Sequence, residues 1–297
     1  MEDITTHTVR ELFEETLLKQ KRKTGYDGIP SGFDDIDCMT GGWQDGKLIV
    51  VAAPVAMGKT PFVLALARNT AVNYEKSVAY FSIDLSPQQV AGRLMAAEAK
   101  VEYEKVLKGK LEGEDLIKIN ERTKKLTDAP FYIVDAPDIS LSELCEKARY
   151  MYKQQDIKLI IIDSLQHISL DDEVGIDNNT PYFKRKKASL ITKTLNKLAK
   201  ELNIPIILVS GLVIYTAHWH HRPEISFLRK MGIAKHVDTV VFIYRPEYYG
   251  LGFFEDNENS RSRAEIILNE LTAGWQCAAR IYYYGQYMKF TDVKQNE

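Results

Sequence analysis

Residues 47–62 read KLIVVAAPVAMGKTPF and carry the clearest chemistry in the chain. The apolar run Leu48 to Ala53 has the length and β-branched content of a buried strand. Gly58-Lys59-Thr60 follows, opening a segment (Phe62, Val63, Leu64, Leu66, Ala67) with helical apolar spacing. Strand, tight loop, Gly-Lys-Thr and helix are the order of a phosphate-binding loop in nucleoside triphosphatases. Loop amides and the positive helix N-terminus hold phosphate oxygens in such a loop. The residues expected to hold ATP are Pro54, Val55, Ala56, Met57, Gly58, Lys59, Thr60 and Pro61. Lys59 is expected to reach the β and γ phosphates, and the Thr60 hydroxyl to ligate Mg²⁺. Ala53 stands where such loops usually begin with glycine. The alternative, a chance Gly-Lys-Thr in a surface loop, lacks the flanking strand and helix.

Two carboxylates stand at places where the same chemistry needs them. Asp163 closes the apolar run KLIIID, and is expected to hold Mg²⁺ through water or through Thr60. An ordinary turn aspartate at a strand end is the competing account. Asp84 is expected to end a strand through Tyr80-Phe81-Ser82-Ile83, where a carboxylate can orient and deprotonate an attacking water. Its other reading is a rival N-cap for the helix beginning near Ser86.

The elements that would position these groups alternate along the chain. Strands are expected at Ser77–Ile83, Pro130–Val134, Lys158–Asp163, Ile204–Ser210, Val237–Tyr244, Ala264–Leu271 and Ala278–Tyr284. One helix follows Ser86, with Pro87 in its first turn. Another runs from Ser140 to about Tyr152, and Ser140-Leu141-Ser142-Glu143 matches a capping box. A long helix is expected from about Lys184 to Leu202. Near-continuous apolar strands alternating with helices imply an α/β fold, its mostly parallel sheet covered on both faces. The last strands lack intervening helices and are expected as antiparallel additions at one edge. Residues 169–183 and 250–263 read as polar loops. Residues 6–23 form a candidate amphipathic helix, with Val9, Leu12, Phe13 and Leu17 on one face. A polar connector to Gly28 follows, so residues 1–27 are expected to stand apart from a domain spanning 28–297. That apolar face must be covered either at home or by a neighbouring subunit.

Bulk properties exclude several classes. A net charge of −2 over 297 residues rules out a generally basic nucleic-acid binder and leaves local patches only. Cys38, Cys145 and Cys277 are scattered, without C-x-x-C, as expected of reduced cytoplasmic thiols. No stretch has the length and apolarity of a membrane span, and the charged N-terminus lacks the apolar core of a signal peptide.

Further motifs are spread over most of the chain. They include Gly28-Ile29-Pro30-Ser31-Gly32-Phe33-Asp34-Asp35-Ile36-Asp37, Thr40-Gly41-Gly42 and Met57-Gly58-Lys59-Thr60. Phe81 to Ser86, Ile162 to Gln166 and Leu198 to Leu202 continue the series. Arg222-Pro223, Leu228-Arg229, Gly232 and Tyr244-Arg245-Pro246-Glu247-Tyr248-Tyr249 complete it. In this order and spacing the chain resembles the C-terminal ATPase domain of DnaB-type replicative DNA helicases. The resemblance implies a RecA-like P-loop NTPase fold, ATP and Mg²⁺ as cofactors, single-stranded DNA as partner, and a homo-oligomeric ring such as a hexamer. Residues 6–23 would correspond to the family's linker helix, which docks on the adjacent subunit.

The same resemblance exposes departures. The family's catalytic glutamate is Asp84 here, one methylene shorter, and a shift of about 1 Å can cost on the order of 10²-fold in rate. The family's S-Q-L, whose glutamine senses nucleotide state, reads Ser210-Gly211-Leu212. The K-Q-R that donates a finger to a neighbour's γ-phosphate reads Glu270-Leu271-Thr272. Losing such a finger costs about 10³ to 10⁵ in turnover. The DNA-holding loop R-E-S-G reads Arg229-Lys230-Met231-Gly232, so Arg229, Lys230 and Gly232 are the expected DNA contacts. Lys184-Arg185-Lys186-Lys187 is a second basic cluster, read either as a solvated helix face or as a polyanion contact. His218-Trp219-His220-His221 lacks acidic or thiolate ligands at zinc-site spacing, and reads better as a loop aromatic than as a metal site. Two functions remain open: ATP-driven translocation on DNA, or a catalytically weak ATP-binding relative with a regulatory or assembly role.

Overall fold

The structure is a computed structural model describing residues 26–171, 180–212 and 222–292. The expected helix over 6–23 and the His218 to His221 cluster lie outside the described residues. A short helix α1 (Asp34–Thr40) precedes β1 (Leu48–Ala53) and α2 (Lys59–Asn73). Next come β2 (Val78–Ser82), α3 (Pro87–Ala99), α4 (Tyr103–Leu107), α5 (Gly113–Arg122) and α6 (Lys124–Thr127). Then follow β3 (Phe131–Asp135), α7 (Leu141–Gln155), β4 (Leu159–Asp163), α8 (Pro181–Leu202) and β5 (Ile206–Gly211). The last elements are α9 (Ile225–Lys230), β6 (Thr239–Tyr244), β7 (Arg263–Glu270), β8 (Trp275–Tyr284) and β9 (Lys289–Thr291).

Among the described residues, nine strands join one sheet in the order β3-β2-β4-β5-β1-β6-β7-β8-β9. The first six run parallel and the last three are antiparallel, as the spacing of helices predicted. Alternate side chains of β1 feed two separate cores. Leu48, Val50 and Ala52 meet α7 and α8 on one face, and Ile49, Val51 and Ala53 meet α1 and α2 on the other. A strand buried on both faces has no reason to alternate with polar residues, which is why these runs read as continuous apolar blocks.

Local signals set the helix boundaries. Ser86 accepts from the Gln89 amide, and the Gln89 side chain returns to the Ser86 amide; Ser140 and Glu143 do the same for α7. The long helix starts at Pro181, earlier than expected, because Thr180 caps it through the Phe183 amide. The Lys184–Lys187 cluster therefore sits beyond the first turn, where opposition from the helix dipole has faded.

Much of the motif text near the N-terminus serves the fold. The buried Asp37 carboxylate accepts from the amides of Ser31 (2.7 Å) and Gly32 (3.0 Å), tying Pro30 to Phe33 onto α1. Desolvation raises the Asp37 pKa above the ordinary carboxylate value. Arg222 forms a forked pair with the buried Glu265 of β7, at 2.8 and 3.1 Å. The 250–263 loop is tied down as well. Glu258 bonds Arg263 and Arg280, and Ser260 is fully buried.

Candidate functional site

β1 delivers the loop next to two strands whose carboxyl ends carry further polar groups, β5 beside it and β4 one strand beyond on the same side. The carboxyl edge of a parallel sheet is where α/β proteins bind ligands. Ala56 and Gly58 both take positive φ, 64° and 94°, which curls the loop back before α2 begins at Lys59. Val55 stands exposed at the loop tip, whereas the Met57 and Pro61 side chains are buried. Pro54 and Pro61 carry no amide hydrogen, so the remaining predicted residues supply the loop's donors. The Lys59 ammonium folds over the loop and donates to the Pro54 carbonyl at 2.9 Å. Burial lowers its pKa, and the nearby Asp163 opposes that shift.

Asp163 stands at the end of β4 as expected. Its Oδ2 accepts from Thr60 Oγ1 at 2.7 Å and from the Tyr80 hydroxyl at 2.8 Å. Burial pushes the Asp163 pKa upward, against the lowering effect of those two bonds and of Lys59. A buried carboxylate bonded to a hydroxyl at the mouth of a phosphate loop is a set of hard oxygen donors. That set fits Mg²⁺, which keeps most of its waters and takes few protein ligands. Lys59, Thr60 and Asp163 thus converge, and Tyr80, missed in the sequence, completes the corner. No spacing rule links a mid-strand tyrosine to a carboxylate 83 residues away.

Asp84 differs from its expected placement: β2 ends at Ser82, and Asp84 lies two residues beyond it. Its carboxylate Oδ1 sits 3.3 Å from His167 Nδ1. Ser86, not Asp84, caps α3. Gln166 occupies the space beside Gly211, where the family carries a glutamine side chain. Its amide donates to Ser210 Oγ (3.1 Å) and to the Gly211 carbonyl (3.2 Å), and accepts from the Gly211 amide (3.2 Å).

Arg245 is the other side chain that sequence reasoning gave no role. It donates to the Ala56 carbonyl at 3.3 Å and lies 4.3 Å from the Tyr283 ring centroid. The loop thereby gains a cationic and aromatic flank on the β8 side. Burial lowers the Arg245 pKa, with Tyr283 and Glu247 opposing.

The expected DNA contacts lie elsewhere. Arg229 and Gly232 line a groove of about 1160 Å³ between α8 and the segment after α9. Lys230 is exposed but is not part of that lining. Lys186, Lys193 and Lys200 join it at seven-residue intervals, roughly 10 Å apart along one side of α8. Asp238 is the acid of the groove, and it is already engaged by Lys47, Asn196 and the Leu48 amide. Lysine charge is also felt at His236, whose pKa is lowered by burial first and then by Lys235 and Lys193. Thr272, at the finger position, borders the same groove. Gly232 takes φ +80°, and an added Cβ would fall 2.5 Å from the Arg185 carbonyl oxygen.

A family model described as the DnaB-like helicase C terminal domain matches residues 28–292. The chain belongs to this family. It is 33% identical over 270 residues to the replicative DNA helicase DnaB of Geobacillus stearothermophilus, covering 90% of this chain and 57% of that protein. It is 32% identical over 276 residues to the replicative DNA helicase DnaC of Bacillus subtilis, covering 92% and 58%. The chain thus spans less than two thirds of the length of these relatives. Among solved structures, one described as an ATPase domain superimposes with a TM-score of 0.82 at 22% identity, covering 97% of this chain and 100% of the other. A DnaB-like replicative helicase described with its primase interactions gives 0.80 at 22%, covering 99% and 68%. The RecA-like fold of this DnaB-like domain follows from those superpositions. Among the described residues, no helix is long and apolar enough to cross a membrane.

Proposed function

We propose that this DnaB-like chain binds Mg-ATP at the 54–61 loop and uses it to move along single-stranded DNA within a ring of copies. The observation that carries the reading is the convergence of Lys59, Thr60 and Asp163 at the carboxyl edge of the sheet. With nucleotide bound, Lys59 leaves the Pro54 carbonyl for the phosphates, and the loop amides hold their oxygens. Thr60 and Asp163 would hold Mg²⁺, which would supply screening of the phosphate charge. Arg229 and the α8 lysines offer a cationic path for a DNA backbone, a sequence-independent mode of attraction.

Ring assembly has support of a different kind. Leu107, Leu116 and Ile117 of α4 and α5 stand 59%, 54% and 60% exposed. The apolar side chains Val9, Leu12, Phe13 and Leu17 of a neighbouring copy would cover such a surface.

Three residues favour a second reading, an ATP-binding regulatory or assembly partner with slow turnover. Asp84, Gly211 and Thr272 each stand where the family carries a longer catalytic side chain. Calorimetry with a non-hydrolysable ATP analogue tests the shared step, and Lys59→Ala is expected to weaken binding strongly. Equal affinity in that variant would refute nucleotide binding at this loop. Hydrolysis with and without single-stranded DNA separates the two readings: DNA-stimulated turnover supports the motor, and binding without stimulation supports the regulator.

A further inference from the structure

Beyond β4 the chain makes a single 3-10 turn, Leu165–His167, that is held on every side. Leu165 and Ile168 are buried, the His167 amide donates to the Ser164 carbonyl, and the Ile168 amide donates to the Leu165 carbonyl. Gln166 is fastened to Ser210 and Gly211 of β5 by the three bonds described above. A side chain carried by such a turn is positioned by the scaffold rather than by its own contacts. The His167 ring leaves the turn toward the end of β2 and meets the Asp84 carboxylate there. The Ile83 amide donates to the Asp163 carbonyl at 2.9 Å, so Asp84 follows directly on a residue tied to the end of β4, and Asp163 itself is bonded to Thr60 and Tyr80. The histidine–aspartate pair therefore borders the corner where Thr60 meets Asp163. Both side chains remain open to solvent, 43% for His167 and 61% for Asp84.

We propose that His167 is the proton acceptor for the water that attacks the γ-phosphate, and that Asp84 is its positioning residue. This rests on the reading that the loop binds ATP. A carboxylate can only accept, so the imidazole nitrogen facing Asp84 carries the proton. Nε2 is then left with a free lone pair directed away from Asp84. The ring extends the reach of a carboxylate that is one methylene too short to serve as the family's glutamate does. In the step itself, the water oxygen bonds to the γ-phosphorus. The bond from that phosphorus to the β–γ bridging oxygen breaks, and its electron pair stays with ADP. The water proton passes to Nε2. Asp84 stabilises the imidazolium, which then releases a proton to solvent. A carboxylate that fixes the tautomer of a histidine base is a recurring arrangement in hydrolases.

The test uses the full chain with Mg-ATP, single-turnover hydrolysis and calorimetric titration of a non-hydrolysable analogue. His167→Ala and His167→Gln are both expected to lower the hydrolysis rate by about 10²- to 10⁴-fold, the range for removal of a general base. Analogue affinity should stay at the wild-type value in both variants. Added imidazole should restore part of the rate to His167→Ala. Asp84→Asn should lower the rate without loss of binding. Glutamine can still donate to Asp84 but offers no basic nitrogen. A His167→Gln variant with wild-type turnover would therefore make the histidine a strut and overturn the proposal. So would a wild-type chain that binds the analogue yet hydrolyses no ATP. Failure of the wild-type chain to bind the analogue would instead refute the ATP-binding reading itself.

Discussion

Gly232 offers a place where two explanations of one residue give different numbers. The family resemblance makes it a DNA-contacting glycine, whereas its geometry makes it a packing requirement. The backbone there has φ +80°, and a Cβ would lie 2.5 Å from the Arg185 carbonyl oxygen and 2.7 Å from Arg185 Cγ. Gly274, in the turn between β7 and β8, has φ +74° with nothing within 4 Å of its added Cβ. Alanine at Gly274 should pay only for the left-handed backbone, about 1–2 kcal/mol. Alanine at Gly232 carries the same cost and adds overpacking against the α8 backbone, about 1–3 kcal/mol. Gly232→Ala should therefore destabilise by about 2–5 kcal/mol in all. Urea unfolding of the two variants, compared at unchanged m-value, reads the difference directly. Equal destabilisation would refute the packing account and return Gly232 to DNA contact alone. The expected excess at Gly232 means that weaker DNA binding in this variant reports a displaced Arg229 loop.

Other consequences are open to direct measurement. Tyr80→Phe removes one of two donors to the buried Asp163 and should cost about 1.5–3 kcal/mol of nucleotide-free stability, as for a bond to a charged group; unchanged stability would contradict that bond. Replacing Lys186, Lys193 and Lys200 with alanine should reduce the slope of log K against log salt for single-stranded DNA by about 2, at roughly 0.7 per phosphate. An unchanged slope would put the DNA elsewhere than along α8. Deleting residues 1–23 should lower the native mass while leaving ATP-analogue binding intact, since burying four apolar side chains is worth on the order of 6–12 kcal/mol before entropy costs. Leu116→Asp with Ile117→Asp should have the same effect if α5 is the receiving surface, and unchanged mass in both variants would remove these segments from the assembly.

The sheet was readable because burial on both faces leaves a plain mark. Leu48 to Ala53 and Leu159 to Ile162 are almost wholly shielded, and each reads as an unbroken apolar run. The boundaries of α3 and α7 were equally plain, since Ser86 and Ser140 sit in capping boxes. The early start of α8 had its own signal, Thr180-Pro181, a cap followed by a proline in the first turn. Helices α4 to α6 went unread for a physical reason. They are short, α4 and α6 contribute no buried residue, and apolar side chains such as Leu107, Leu116 and Ile117 stand exposed, so no core-facing stripe marks them. Strand β9 has three residues, too few to show a period.

The site divides along the same line. Gly58, Lys59, Thr60 and Asp163 could be named because their order in the chain mirrors their order around a phosphate. Tyr80, Gln166, His167 and Arg245 could be given no place in the site, although Gln166 and Arg245 belong to the motif text, because each reaches it by crossing between strands that are neighbours only in the folded sheet. Those crossings change the meaning of the departures from the family pattern. Taken singly, Gly211 is a lost sensor and Asp84 a shortened base. In the fold, Gln166 occupies the space that Gly211 leaves open, and His167 stands against the carboxylate of Asp84. Both partners come from the one turn after β4. Thr272 differs, for it lies two residues beyond β7, and the arginines that line its groove, Arg185 and Arg229, come from α8 and α9. Two of the three departures thus have a polar neighbour within the subunit, residues 166 and 167. The third, at Thr272, has no counterpart in that turn.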